Sequence, residues 1–136
     1  MSEEFEKTIN LCLIYSKDLR WMLAKICKND KLDGLLIPSN NSVPQVMMSQ
    51  VVKKEVGLEI EPSKWGMVTA LQHIEKKWKI DVYVTISEIE TINQENFTLI
   101  SLWDLPDNIH PNLKWLIPLS LDFTMHGSSF NQILMK

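Results

Sequence analysis

Trp103 and Asp104 are adjacent, and an indole beside a carboxylate suits one task well. The ring face can stack on a nucleobase, worth about 1–3 kcal/mol with no metal involved. The carboxylate can accept from the donor groups on a purine edge. Trp21, Trp65, Trp78 and Trp115 come from four further segments, so the tryptophans can converge on a pocket. Core filling is the alternative, which Trp does well when its N–H finds a partner. The apolar neighbours of Trp115 favour packing for that residue. Lys53 and Lys54 are a solvated pair, or else cations that meet phosphates. Glu88 and Glu90, at i and i+2, can face one side of an extended segment; a solvated strand end is the other reading.

Composition removes several chemistries. Four glycines in 136 residues leave nothing for a glycine-rich phosphate loop. His73-x-Glu75 lacks the Pro-Cys-x-x-Cys that would complete a deaminase zinc site. His110 and His126 lie in expected loops or caps, with no nucleophile motif near them. Cys12 and Cys27 stand alone, without a Cys-x-x-Cys or a His cluster, and are read as two buried thiols. The net charge is −3, so no global positive field draws in nucleic acid. Hydrophobic residues at 45% exclude a disordered tail. No apolar run reaches the ~18 residues of a membrane span. The acidic opening Met-Ser-Glu-Glu-Phe-Glu has no signal-peptide character, so a cytoplasmic protein is expected. A single domain over 1–136 is expected from length.

These residues need elements to hold them. Residues 7–15 and 21–27 are apolar, β-inclined runs separated by a turn at Ser16-Lys17-Asp18, which predicts a hairpin. Asp33-Gly34 marks another turn, and Leu35–Ile37 is a short run stopped by Pro38. Ser42 with Gln45 fits a capping box with Pro44 in the first turn. Met48, Val51, Val52 and Val56 then form one apolar stripe, Met47 joins Met48 as core filler, and Gly57 is a natural terminator. A helix over about 43–56 follows. Residues 65–71, 78–86 and 98–103 read as strands, and alternation in 78–86 predicts a half-buried one. His110-Pro111-Asn112 opens a C-terminal helix that Pro118 is expected to kink or break. The order β-β-(β)-α-β-β-β-α predicts an α+β fold with a small mixed sheet.

Val52-Lys-Lys-Glu-Val-Gly-Leu-Glu-Ile60 resembles the end of the box Gly-x5-Glu-x7-Arg-Glu-u-x-Glu-Glu-x-Gly-u of the Nudix (MutT-like) hydrolases, where u is a bulky aliphatic residue. Val52, Glu55, Gly57 and Leu58 take the matching positions. Gly34-Leu-Leu-Ile-Pro38 looks like the strand leading to the family's Pro-Gly-Gly. Trp103-Asp-Leu-Pro106 and Asn112–Leu119 look like the closing segment of the branch acting on oxidised purine nucleotides. The resemblance covers roughly residues 7–122 and implies an α/β/α sandwich. It departs where the chemistry lies: Ser39 and Asn40 stand for the two glycines, and Gln50, Val51 and Lys54 for the arginine and two glutamates. The shortened loop leaves the loop glutamate without a counterpart.

In that family a divalent Mg or Mn, held by carboxylates at i, i+3 and i+4 of the helix, assists attack of water on a diphosphate bridge. Here the triplet reads Val51, Lys54, Glu55. The resemblance therefore implies a degenerate box and a protein that binds a nucleotide-like small molecule without standard metal-dependent hydrolysis. One alternative is a divergent pyrophosphohydrolase in which Glu55 is helped by Glu88 or Glu90, with Mg or Mn. Another is an interaction module on the same fold, as a homodimer or with a protein partner. No nucleic acid and no membrane are expected as partners.

Overall fold

The structure is a computed structural model, and it describes residues 7–39, 43–73, 75, 77–89 and 95–126. Seven strands and two α-helices occur there: β1 (Lys7–Ser16), β2 (Trp21–Ile26), β3 (Leu32–Asp33), β4 (Leu35–Pro38), α1 (Pro44–Glu55), β5 (Gly66–His73), β6 (Trp78–Ser87), β7 (Phe97–Ser101) and α2 (Leu113–His126). The α+β class holds, with one mixed sheet and two helices.

β1 is the axis of the sheet. One edge pairs in parallel with β6 along its whole length, from Lys7↔Trp78 to Ser16↔Ser87. The other edge is shared: Ile14 and Tyr15 pair with β2, whereas Ile9–Cys12 pair with β4. β3 lies in the fork so formed, paired to the end of β2. Gly34 sits at the apex. A Cβ there would lie 2.8 Å from Leu11 Cδ1 and 3.0 Å from the carbonyl oxygen of Cys12, so only glycine lets the chain cross so close to β1. β7 covers the far edge of β2, and β5 covers β6.

Alternation along β1 and β6 gives the sheet two covered faces. Leu11, Leu13, Tyr15, Val82 and Val84 form a core with Leu113, Leu116 and Ile117 of α2. Cys12, Ile14 and Tyr83 form the other core with Met47, Met48 and Val52 of α1. The expected half-buried character of residues 78–86 is thus corrected. Asp81, Tyr83 and Thr85, on the face expected to be polar and solvated, are buried as well, because a parallel central strand is covered on both sides.

Three further expectations change. The N-cap of α1 is Val43, which offers no side-chain cap; the helix starts one residue later than the capping box requires, and Ser42 lies outside the described residues. Pro118 does not interrupt α2, which runs on to His126. Proline deletes one donor to the carbonyl a turn earlier, while the buried stripe Leu113, Leu116, Ile117, Ser120, Leu121 on the opposite face holds the helix together. Cys27 is exposed, not buried, because it follows the end of β2.

Candidate ligand-binding site

The C-terminal turn of α1 is where the resemblance places catalysis. Val51 packs against the α1 core, so its side chain joins the apolar stripe instead of facing solvent. Lys53, Lys54 and Glu55 are exposed. Lys53 Nζ pairs with Glu59 Oε1 at 3.1 Å. The helix ends at Gly57, whose φ of +87° is the left-handed conformation that glycine adopts without strain. Its N–H donates to the carbonyls of Val52 and Lys53.

Glu55 faces a cation of the protein itself. Lys25 Nζ, from β2, lies 4.0 Å from Glu55 Oε1. Lys25 is in turn the cross-strand partner of Asp33 in β3 and of Phe97 in β7. Burial pushes the Asp33 carboxyl above the ordinary carboxylate range, opposed by a hydrogen bond from the Gly34 N–H and by the charge of His110. That bond is 2.7 Å long. His110 is held there by backbone: the Leu32 N–H donates to the Asn108 carbonyl, and the His110 N–H donates to the Leu32 carbonyl. The His110 Nδ1 accepts from the Asn112 N–H at 3.1 Å. Beside this group β4 alternates buried Leu35 and Ile37 with exposed Leu36. Leu36 pairs with Leu11 and so faces the α2 side, where the helix leaves it uncovered.

A divalent metal does not fit the α1 positions. They offer one carboxylate, already opposed by Lys25, with the Lys54 ammonium next to it in sequence. Among the described residues no three His, Cys, Asp or Glu side chains gather to hold a metal ion. Hard cations such as Mg need several oxygen ligands.

The remaining sequence candidates fall elsewhere. Glu88 pairs with Lys17 at 2.7 Å, and that hydrogen bond holds its carboxyl below the ordinary range. Following the strand registers, Glu88 lies five rungs from Lys25, about 17 Å along the strands, so Glu55 and Glu88 do not converge. Glu90 lies outside the described residues. Trp21 begins β2 opposite Ser101, four residues from Lys25, or about 13 Å. Trp103 is 69% exposed, and its Nε1 donates to the Leu19 carbonyl at 3.0 Å. It walls a cavity of about 560 Å³ with Leu102, Leu105, Ile117, Leu121 and Met125; Asp104 is exposed beside it and does not line it. Trp21 shares the face of β2 that carries Leu23 and does not line that cavity, while Lys25 and Glu55 form a separate pair.

The other tryptophans divide. Trp65 is core, donating through Nε1 to Ser49 Oγ. Trp78 carries Lys7 Nζ 5.0 Å over its ring. Trp115, expected to pack, is 46% exposed, since α2 turns Leu113, Leu116 and Ile117 inward instead. A second cavity, of about 610 Å³, opens between Lys17, Lys64, Ser87 and Thr124. Sequence reasoning passed over Lys25, met Asp33 only as half of a turn signal, and read His110 only as a loop or helix-start residue.

No protein-family model and no curated protein matches this chain. Solved structures do. A Nudix-family hydrolase from Clostridium perfringens superposes with a TM-score of 0.67 at 14% identity, covering 91% of this chain and 99% of that one. A MutT Nudix hydrolase from Burkholderia pseudomallei gives 0.64 at 12% identity, over 83% and 96%. The C-terminal domain of mouse MUTYH, solved in complex with human PCNA, gives 0.66 at 9% identity, over 88% and 90%. The chain has the Nudix fold.

Proposed function

We propose that this protein binds a nucleotide-like, phosphate-bearing ligand at the C-terminal turn of α1, without standard metal-dependent hydrolysis. The observation that carries the reading is the 4.0 Å approach of Lys25 Nζ to Glu55 Oε1. The one acid retained at the family's helix positions faces an ammonium group where a hydrolase would need a cation of its own. Lys25 and Lys54 supply positive charge to phosphate oxygens directly, a role metal plays in hydrolases. Asp33 and His110 stand beside them and suit the polar edge of a heteroaromatic ring.

Thermal stabilisation by nucleoside di- and triphosphates, read with EDTA and with Mg or Mn, tests this. Stabilisation that survives EDTA, falls at least fivefold in apparent affinity in Lys25→Gln and Lys54→Gln, and comes without phosphate or pyrophosphate release supports the reading. Mg- or Mn-dependent release that vanishes in Glu55→Gln overturns it in favour of a divergent hydrolase.

A further inference from the structure

Lys25 and Asp33 belong to one hairpin: they are cross-strand partners in β2 and β3, and the turn 27–31 joins them. That turn holds two successive non-glycine residues in the left-handed region, Asn29 at φ +63° and Asp30 at φ +58°. Asn and Asp enter this region more readily than other side chains, but they stay there only where the surroundings fix them. β3 supplies little of that fixing. It is two residues long and pairs with β2 at Lys25↔Asp33 and Ile26↔Leu32.

The rest comes from a segment far along the chain. The Asn108 side chain donates from Nδ2 to the Asp30 carbonyl at 2.7 Å. The Asn108 carbonyl accepts from the Leu32 N–H at 2.9 Å. One residue thus grips the turn on both sides of Lys31. Two positions on, the His110 N–H donates to the Leu32 carbonyl at 2.8 Å. Ile109, between the two, is buried and bridges to Leu32, which anchors the gripping segment in the core. The backbone bonds are available to any residue at 108. The bond to Asp30 needs a side-chain donor of this length, and Asn supplies it. Asn108 itself is exposed, so packing does not account for it.

We propose that Asn108 is a positioning residue for the ligand site. Its amide latches the strained turn, and so holds Lys25 and Asp33 of the hairpin at a fixed spacing from His110. The role rests on the nucleotide-binding reading. A site ordered in advance binds more tightly, because the ordering cost is met in folding instead of in binding.

The test uses the full chain, with ATP and GTP in EDTA as probes, and two variants. Asn108→Ala removes the latch. Asn108→Ala with Asp30→Gly removes it but lets residue 30 take the left-handed conformation without strain. The single variant is expected to lose at least threefold in affinity for the nucleotide that the wild type binds, and the double variant to recover at least half of that loss. General destabilisation would not be reversed this way, since glycine loosens the unfolded chain further. Amide hydrogen exchange at Leu32 and His110 should accelerate at least tenfold in Asn108→Ala, with Leu13 in β1 unchanged. Unchanged exchange at both amides overturns the latch. Faster exchange with undiminished affinity, or no recovery in the double variant, overturns the positioning role. A wild type that binds neither nucleotide fails the nucleotide reading itself, and the role of Asn108 at that site falls with it.

Discussion

The phenol of Tyr15, in β1, and the hydroxyl of Ser120, in α2, are hydrogen-bonded to each other in the interior of the protein, with both residues fully buried. The Ser120 hydroxyl spends its proton on the Ile117 carbonyl at 3.0 Å. Tyr15 is therefore the donor and Ser120 the acceptor. The bond ties the second helix to the axial strand of the sheet.

That direction makes the two truncations unequal. Tyr15→Phe removes a donor and leaves Ser120 still bonded to Ile117, so it should cost about 1 kcal/mol, the net worth of one hydrogen bond. Ser120→Ala leaves a buried phenol with no acceptor and should cost more, about 1–3 kcal/mol. Urea midpoints of the two variants decide it. A larger loss for Tyr15→Phe would reverse the assigned donor.

Stability should fall as pH rises above about 9. Burial pushes the Cys12 thiol and the Tyr15 phenol well above their ordinary ranges. Both groups keep their protons in the folded state, while the unfolded chain releases them from about pH 8.5 and about pH 10 respectively. The unfolded state then binds fewer protons, so each group lowers stability by up to about 1.4 kcal/mol per pH unit above its unfolded value. The contribution is fully present below those values. Denaturation at pH 7, 9 and 10.5 checks it: Cys12→Ala should flatten the earlier decline and Tyr15→Phe the later one. Slopes unchanged in both variants would defeat the prediction.

Two glycines should respond differently to alanine. At Gly34 a new Cβ meets Leu11 and the Cys12 backbone at 3.0 Å or less, an overpacking cost of about 1–3 kcal/mol that backbone cannot relieve cheaply. At Gly57 nothing lies within 4 Å, and the cost is the left-handed conformation alone, about 1 kcal/mol. Gly57→Asn should recover part of the second loss, because Asn tolerates that conformation. Thermal melts of the three variants give the ranking, and a Gly57→Ala loss exceeding that of Gly34→Ala would contradict it.

Asn10 is wholly buried, and neither its Nδ2 nor its Oδ1 has a hydrogen-bond partner among the described residues. Its neighbour across the parallel ladder is Asp81, whose Oδ1 also lacks a hydrogen bond, although Lys79 Nζ lies 3.4 Å away. A buried amide without partners costs about 1–3 kcal/mol, so Asn10→Leu is expected to stabilise the protein by a similar amount. A loss of stability would show that an ordered water completes the amide.

Much of the scaffold could be read from local pattern. The strand at residues 7–15 announces itself as an apolar, β-inclined run, that at 78–86 by a period of two and the helix at 43–56 by a period of 3.6, and the structure places them there. What failed was context. Pro118 looks like a break until the buried stripe on either side of it is seen, and Trp115 looks like core until the phase of α2 is known. The binding group was less legible still. Lys25 and Glu55 are thirty positions apart and Asp33 and His110 seventy-seven; only the fork of strands around Gly34 and the backbone bonds of Leu32 bring them together. The resemblance located Lys54 and Glu55, but no local signal marks the lysine that answers Glu55.

The parallel pairing of β1 with β6 also has a kinetic consequence. Its partners, Lys7 with Trp78 at one end and Ser16 with Ser87 at the other, are separated by 71 residues (78 − 7). During synthesis at about 5–20 residues per second, the apolar strand Leu11–Tyr15 waits roughly 4–14 s for the strand that covers its second edge. Until then only the hairpin with β2 and the pairing with β4 shield it. Folding of this domain is therefore governed by a late, long-range closure, and a nascent chain halted before Trp78 exposes the edge most prone to aggregate.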